Sequence, residues 1–191
     1  MKQKTAGRPV SWATACDGII SADMRAHLAK GANAGLVPED TVYETGSRSG
    51  KRQVAQVAKD LAAEPRGTEH EGLCKLRDRD GKDLVSVAFY WAADDFPRGQ
   101  GDSQNVVTEV DKNFKYMTDK GRQVLGVNCA STGGDEETAL LHGMVDGNAA
   151  FDERSAIQML YAAVSKILPD LRCTNGVTVP TRLPYRDPRM K

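Results

Sequence analysis

Residues 84–91 read LVSVAFYW, and the alternation in this stretch sets the fold class. Val85, Val87, Phe89 and Trp91 fall on one face of an extended chain, and Ser86, Ala88 and Tyr90 on the other. A period of two with β-branched and aromatic residues is the mark of a strand with one buried face. Working back from it, Asp80-Gly81 separates this run from Leu73–Arg77, so the two read as a hairpin.

Working forward, the polar stretch DDFPRGQGDSQ reads as a loop. Val106, Thr108, Val110, Phe114 and Tyr116 then share one face of a long third strand, with Val107, Glu109, Asp111, Asn113 and Lys115 on the other. Lys120-Gly121 turns the chain into a fourth strand, Val124–Cys129. The expected centre is a four-stranded antiparallel meander with one apolar face.

Helical spacing brackets this centre. Ser11–Lys30 reads as helix, interrupted at Gly18, with Ile19, Ile20, Met24 and Leu28 on one side and Ser21 as an N-cap. Val54, Val57, Ala58 and Leu61 mark a second helix that Pro65 stops. After the meander, Asp135–Val145 carries Leu140, Leu141, Met144 and Val145, with acidic residues at its start that suit a helix dipole. Asp152 caps a final helix, in which Ile157, Leu160, Tyr161, Val164, Ile167 and Leu168 form a broad stripe before Pro169. The expected fold class is α+β: N-terminal helices, a four-stranded antiparallel meander, a C-terminal helix pair and an extended Pro-rich arm.

The 191 residues have room for one domain. With 40% apolar and 27% charged residues, the composition is that of a folded chain rather than a disordered one. Lys+Arg and Asp+Glu both number 26, which excludes a wholly basic nucleic-acid binder and an acidic mimic. The zero total hides an uneven distribution: residues 1–12 carry +3, 172–191 carry +4 and 13–171 carry −7. This divides the chain into a basic N-terminal arm (1–12), a single α+β domain (13–171) and a basic C-terminal arm (172–191). Pro180, Pro184 and Pro188 forbid helix in the last segment and favour an extended course.

The longest apolar run, Leu84–Ala93, is half the length a membrane helix needs, so no membrane partner is expected. The opening residues MKQKTAGRPVSW lack the apolar core of a secretory signal. Cys16, Cys74, Cys129 and Cys173 are scattered, and without such a signal they read as reduced, buried small hydrophobes. The expected location is cytoplasmic at synthesis, and then within a virion if the chain is a coat subunit.

Catalytic signals are sparse. Cys129 ends a strand before Gly133-Gly134, and His142 follows thirteen residues later, so a Cys-His nucleophile is the enzyme candidate. Asp135, Glu136 and Glu137 disfavour a thiolate or an incoming phosphate there, and a structural turn is the stronger reading. No phosphate-binding glycine motif is present. His70 and Cys74 stand four apart with no second ligand pair, so neither a metal nor another cofactor is expected.

Three functions are ranked on these residues. The first is a non-enzymatic structural subunit that assembles with copies of itself, such as a virion or coat protein. Its intersubunit contacts are assigned to Arg182, Leu183, Tyr185, Arg186 and Arg189 of the C-terminal arm. Small RNA-phage coat proteins offer an analogy of order, a sheet followed by two helices, and nothing closer. The second is an accessory protein that binds nucleic acid or another protein, with Arg48, Lys51 and Arg52 as phosphate contacts ahead of the second helix. A cysteine-dependent enzyme ranks a distant third.

Overall fold

The computed structural model describes residues 8–11, 14–24, 42–44, 53–63, 71–77, 83–92, 106–119, 122–130, 139–147 and 153–180. Among these residues there are eight strands: β1 (Arg8–Val10), β2 (Val42–Glu44), β3 (Glu71–Arg77), β4 (Asp83–Ala92), β5 (Val106–Glu109), β6 (Phe114–Asp119), β7 (Arg122–Cys129) and β8 (Ala139–Gly147). Helices α1 (Gln53–Ala63) and α2 (Glu153–Leu171) accompany them, with a 3-10 turn at Ala15–Gly18. All strands join one antiparallel sheet in the order β1-β2-β3-β4-β8-β7-β6-β5. Six of them form its main body, and the three-residue β1 and β2 extend one edge.

This corrects the expected four-stranded meander and helix pair in two places. The segment expected as a helix over Asp135–Val145 contains a strand, β8, which lies between β4 and β7. Leu141 and Val145 face the core, while Leu140, His142 and Met144 take the alternate face. Leu140 and Met144, half-buried on that alternate face, are apolar as well, so the core residues do not alternate with polar ones and the period of two is lost from view. Gly143 deepens the ambiguity, because it stands at a core-facing position without a side chain.

The long third strand is instead a hairpin of β5 and β6. Asp111 Oδ1 accepts from the amides of Asn113 (2.7 Å) and Phe114 (2.9 Å), and the Val110 amide donates to the Phe114 carbonyl at 2.9 Å. An aspartate that captures amides two and three residues ahead folds the chain back on itself. Thr108 and Tyr116, read as neighbours along one strand, are cross-strand partners. Both differences concern connectivity, and Phe114, Tyr116, Leu141 and Val145 are buried in the strands that the chain forms.

The β3–β4 hairpin pairs antiparallel, as the alternation implies. Val85, Val87, Phe89 and Trp91 face the helices and are at most 4% exposed. Helix α1 packs on β3 and α2, and α2 covers β7 and β8. Trp91 joins the layers, its indole Nε1 donating to the Leu61 carbonyl of α1 at 2.9 Å. The final helix continues through Pro169 to Leu171, rather than stopping before the proline. The first helical prediction is largely replaced by the 3-10 turn and a short helical segment at 22–24, where Ser21 Oγ does accept from the Met24 amide. Residues 25–30 of that prediction lie outside the described residues.

The four cysteines are paired, which corrects their reading as reduced thiols. Cys16 is bonded to Cys74 and Cys129 to Cys173, with Cα separations of 5.3 Å and 5.0 Å. A register shift between Gly72 and Cys74 buries two successive residues, Leu73 and Cys74, and sets Cys74 on the core face beside Cys16. Closing loops of 58 and 44 residues stabilises the fold by about 4 kcal/mol each through lost unfolded-chain entropy.

After α2 the chain turns back at Arg172, whose φ is 52°, and residues 173–180 run against the body. Thr174 donates its amide to the Ala130 carbonyl at 2.6 Å, and Asn175 Nδ2 donates to the Asn128 carbonyl at 2.8 Å. Val177 and Val179 pack on the core edge.

Candidate functional site

The Cys129-His142 pair is not a catalytic dyad. Cys129 is wholly buried in the core and its sulfur is bonded to Cys173. His142 faces the opposite side of the sheet, as the β7–β8 register requires: Cys129 stands across from Ala139 and Gly126 across from His142. Three residue steps along β8 separate the two positions, and each step reverses the face. The metal pairing of His70 with Cys74 loses Cys74 to the other disulfide, and His70 lies outside the described residues.

The remaining site predictions fall outside the described residues: Arg48, Lys51 and Arg52 before α1, and Arg182, Leu183, Tyr185, Arg186 and Arg189 at the C-terminus. What the structure does describe is the helix that the basic loop introduces. Its exposed positions are Ala55, Gln56, Lys59, Ala62 and Ala63, which present one cation. Its first turn already meets an anion, because Asp17 Oδ2 accepts from the Val54 amide at 3.0 Å. A carboxylate there satisfies an amide that a phosphate would otherwise take.

The surface best defined by the described residues is the sheet face away from the helices, together with the β5 edge. Its centre holds His142 and Tyr90, directly opposed on β8 and β4. His142 Nδ1 and the Tyr90 hydroxyl share a hydrogen bond at 3.1 Å, and the rings meet edge to face at 5.3 Å. Burial pushes the Tyr90 phenol above its ordinary pKa, with the Arg122 charge acting against the shift. Beside them Met117 and Val124 form a small buried cluster with Met144 against it. Ion pairs flank this strip: Arg122 Nε with Asp146 at 2.6 Å, Lys115 with Glu109 at 3.9 Å, and Lys75 and Arg77 with Asp83. Alternating signs make the face polar without making it basic.

The two ends of the sheet differ. β1 carries Pro9, which has no amide to offer a further strand. β5 contains no proline and, among the described residues, pairs with β6 alone. Val107 on β5 is 44% exposed, and it is the one large apolar side chain among the described residues that is exposed. Sequence reasoning missed this edge because Val106–Tyr116 read as a single strand inside the sheet.

Comparison with protein-family models, with curated proteins and with solved structures gave no match.

Proposed function

We propose that this chain is a non-catalytic structural subunit that associates with copies of itself through the β5 edge of its sheet. The observation that carries the reading is Val107, an exposed apolar residue on an end strand that no described element covers. An end strand offers unpaired amides and carbonyls to a neighbouring chain. Two β5 strands paired antiparallel about a two-fold axis would continue the sheet from one copy into the next and close the assembly at a dimer. The proline in β1 disfavours the same pairing at the other end.

The coat-protein form of this reading loses its analogy of order, because β8 stands where the first of two closing helices was expected. Self-association does not depend on that analogy. Arms of +3 and +4 around a body of −7 also favour contact between copies.

Light scattering coupled to size exclusion tests the reading on the full chain. The expected mass is twice 20.7 kDa, returning toward 20.7 kDa in Val107→Lys with an unchanged circular dichroism spectrum. A mass of 20.7 kDa at every concentration would refute it.

A further inference from the structure

The fold brings together cysteines that are distant in sequence and leaves none over. Four cysteines allow three pairings, and one of them is realised, in two loops that do not overlap. Both Cα separations fall within the roughly 4.4–6.8 Å that a disulfide spans. Chance contact between buried small residues would not pair every cysteine in the chain.

Each bond also holds a segment that the main sheet does not. Cys16 and Asp17 both have φ of 53°, a left-handed conformation that non-glycine residues adopt only when their surroundings impose it. The bond to Cys74 on β3 fixes this turn, and its neighbours build on it: Asp17 takes the Val54 amide of α1 through its carboxylate, and its carbonyl accepts from Lys166 Nζ of α2. At the other end, Cys173 follows the left-handed Arg172 and is tied to the last residue of β7. Thr174 and Asn175 then complete a clasp on Asn128 and Ala130.

Cys16, Cys74 and Cys129 are all at most 3% exposed, and Cys173 is half-buried against the core. Each bond thus has at least one sulfur shut away from a reductant once the chain is folded, which suits a structural bond rather than a switching one. Structural disulfides form and persist in oxidising compartments and are rare in the reducing cytosol.

We infer that this chain is a substrate for oxidative disulfide formation and completes its fold outside the reducing cytoplasm. For each pair, one cysteine thiolate attacks a disulfide-bearing donor and expels one donor thiol, leaving a mixed disulfide. The second cysteine thiolate attacks the chain's own sulfur in that intermediate and expels the second donor thiol. Two electrons and two protons pass from the cysteine pair to the donor, so two donor disulfides are consumed per chain. The donor class is a protein or low-molecular-weight disulfide, and the location departs from the cytoplasmic one expected from the sequence. The inference is independent of how copies associate.

The test is acid trapping of the full chain in the cells that make it, followed by denaturation, labelling with a maleimide-polyethylene glycol and cell fractionation. The expected result is no label before reduction and four labels after it, with the chain outside the cytoplasmic fraction. Peptide mapping should join the segment containing Cys16 to that containing Cys74, and Cys129 to Cys173. Label before reduction, crossed linkages, or an oxidised chain that remains cytoplasmic would each overturn the inference.

Discussion

Phe89 on β4 occupies the space that a side chain at Gly143 on β8 would need. A Cβ at Gly143 would lie 2.5 Å from Phe89 Cε1 and 3.1 Å from Leu160 Cδ2 of α2. The two residues are cross-strand partners at the centre of the sheet, and Phe89 is fully buried. The absent side chain leaves room for the aromatic ring beside Leu160 of α2.

Gly143→Ala should therefore destabilise the fold by about 1–3 kcal/mol, the usual cost of forcing atoms into a packed core. Phe89→Leu should itself destabilise, but its effect should be smaller in the Gly143→Ala background than alone. A double-mutant cycle by urea unfolding measures that difference, and strict additivity would show that the two sites do not meet.

Trp91 completes the end of α1 in a way that explains why a tryptophan stands at that position. The Leu61 carbonyl would ordinarily accept from the amide four residues on, but that residue is Pro65, which has none. The Trp91 indole donates instead. Trp91→Phe keeps an aromatic ring and leaves a buried carbonyl unsatisfied, at a cost of about 1–3 kcal/mol. The urea midpoint should fall with an unchanged slope, and amide exchange should quicken in the last turn of α1 more than in β4.

Tyr161 of α2 stacks on Phe114 at 5.9 Å, and its hydroxyl is buried with no hydrogen-bond partner among the described residues. Burial drives its phenol well above the ordinary tyrosine range, and the nearby Asp111 and Tyr116 add to the shift. Tyr161→Phe should be neutral or stabilising by up to about 1 kcal/mol, whereas Tyr161→Ala should cost about 3–5 kcal/mol. Because the folded pKa is raised, the neutral form's contribution is complete below about pH 10 and is lost as the pH rises beyond it. Thermal midpoints followed into alkali should fall less steeply in Tyr161→Phe than in the parent.

Asp83 lies between Lys75 Nζ (2.8 Å) and Arg77 Nε (2.7 Å) at the turn end of β3–β4. Hydrogen bonding to Lys75, then to Arg77, holds its carboxyl below the usual carboxylate range. A depressed folded pKa contributes stability that is present above the unfolded value near pH 4 and fades as pH falls through the folded one. Its side chain is 54% exposed, so solvent screening limits the effect to about 0–1 kcal/mol. Asp83→Asn should remove that part of the acid sensitivity, and added salt should shrink the difference between variant and parent.

Local chemistry made some of this protein legible in its sequence. The period of two in Val85–Trp91, the helical stripe of Ile157–Leu168 and the Ser21 cap each follow from contacts within a few residues, and each is present. Much of the core was legible as well, since Phe114, Tyr116, Leu141 and Val145 are buried although their segments connect differently from the expected order. Tertiary structure alone decided that 139–147 is a strand, that β8 inserts beside β4, and that Cys129 faces away from His142 toward Cys173. The place beside β4 and the bond to Cys173 depend on partners 40 or more residues away, such as the 44 residues between Cys129 and Cys173 and the 52 between Tyr90 and His142. A strand with apolar residues on both faces loses its alternation, and a disulfide is chosen by the approach of two chain segments in space; neither leaves a periodic mark on the residues that form it.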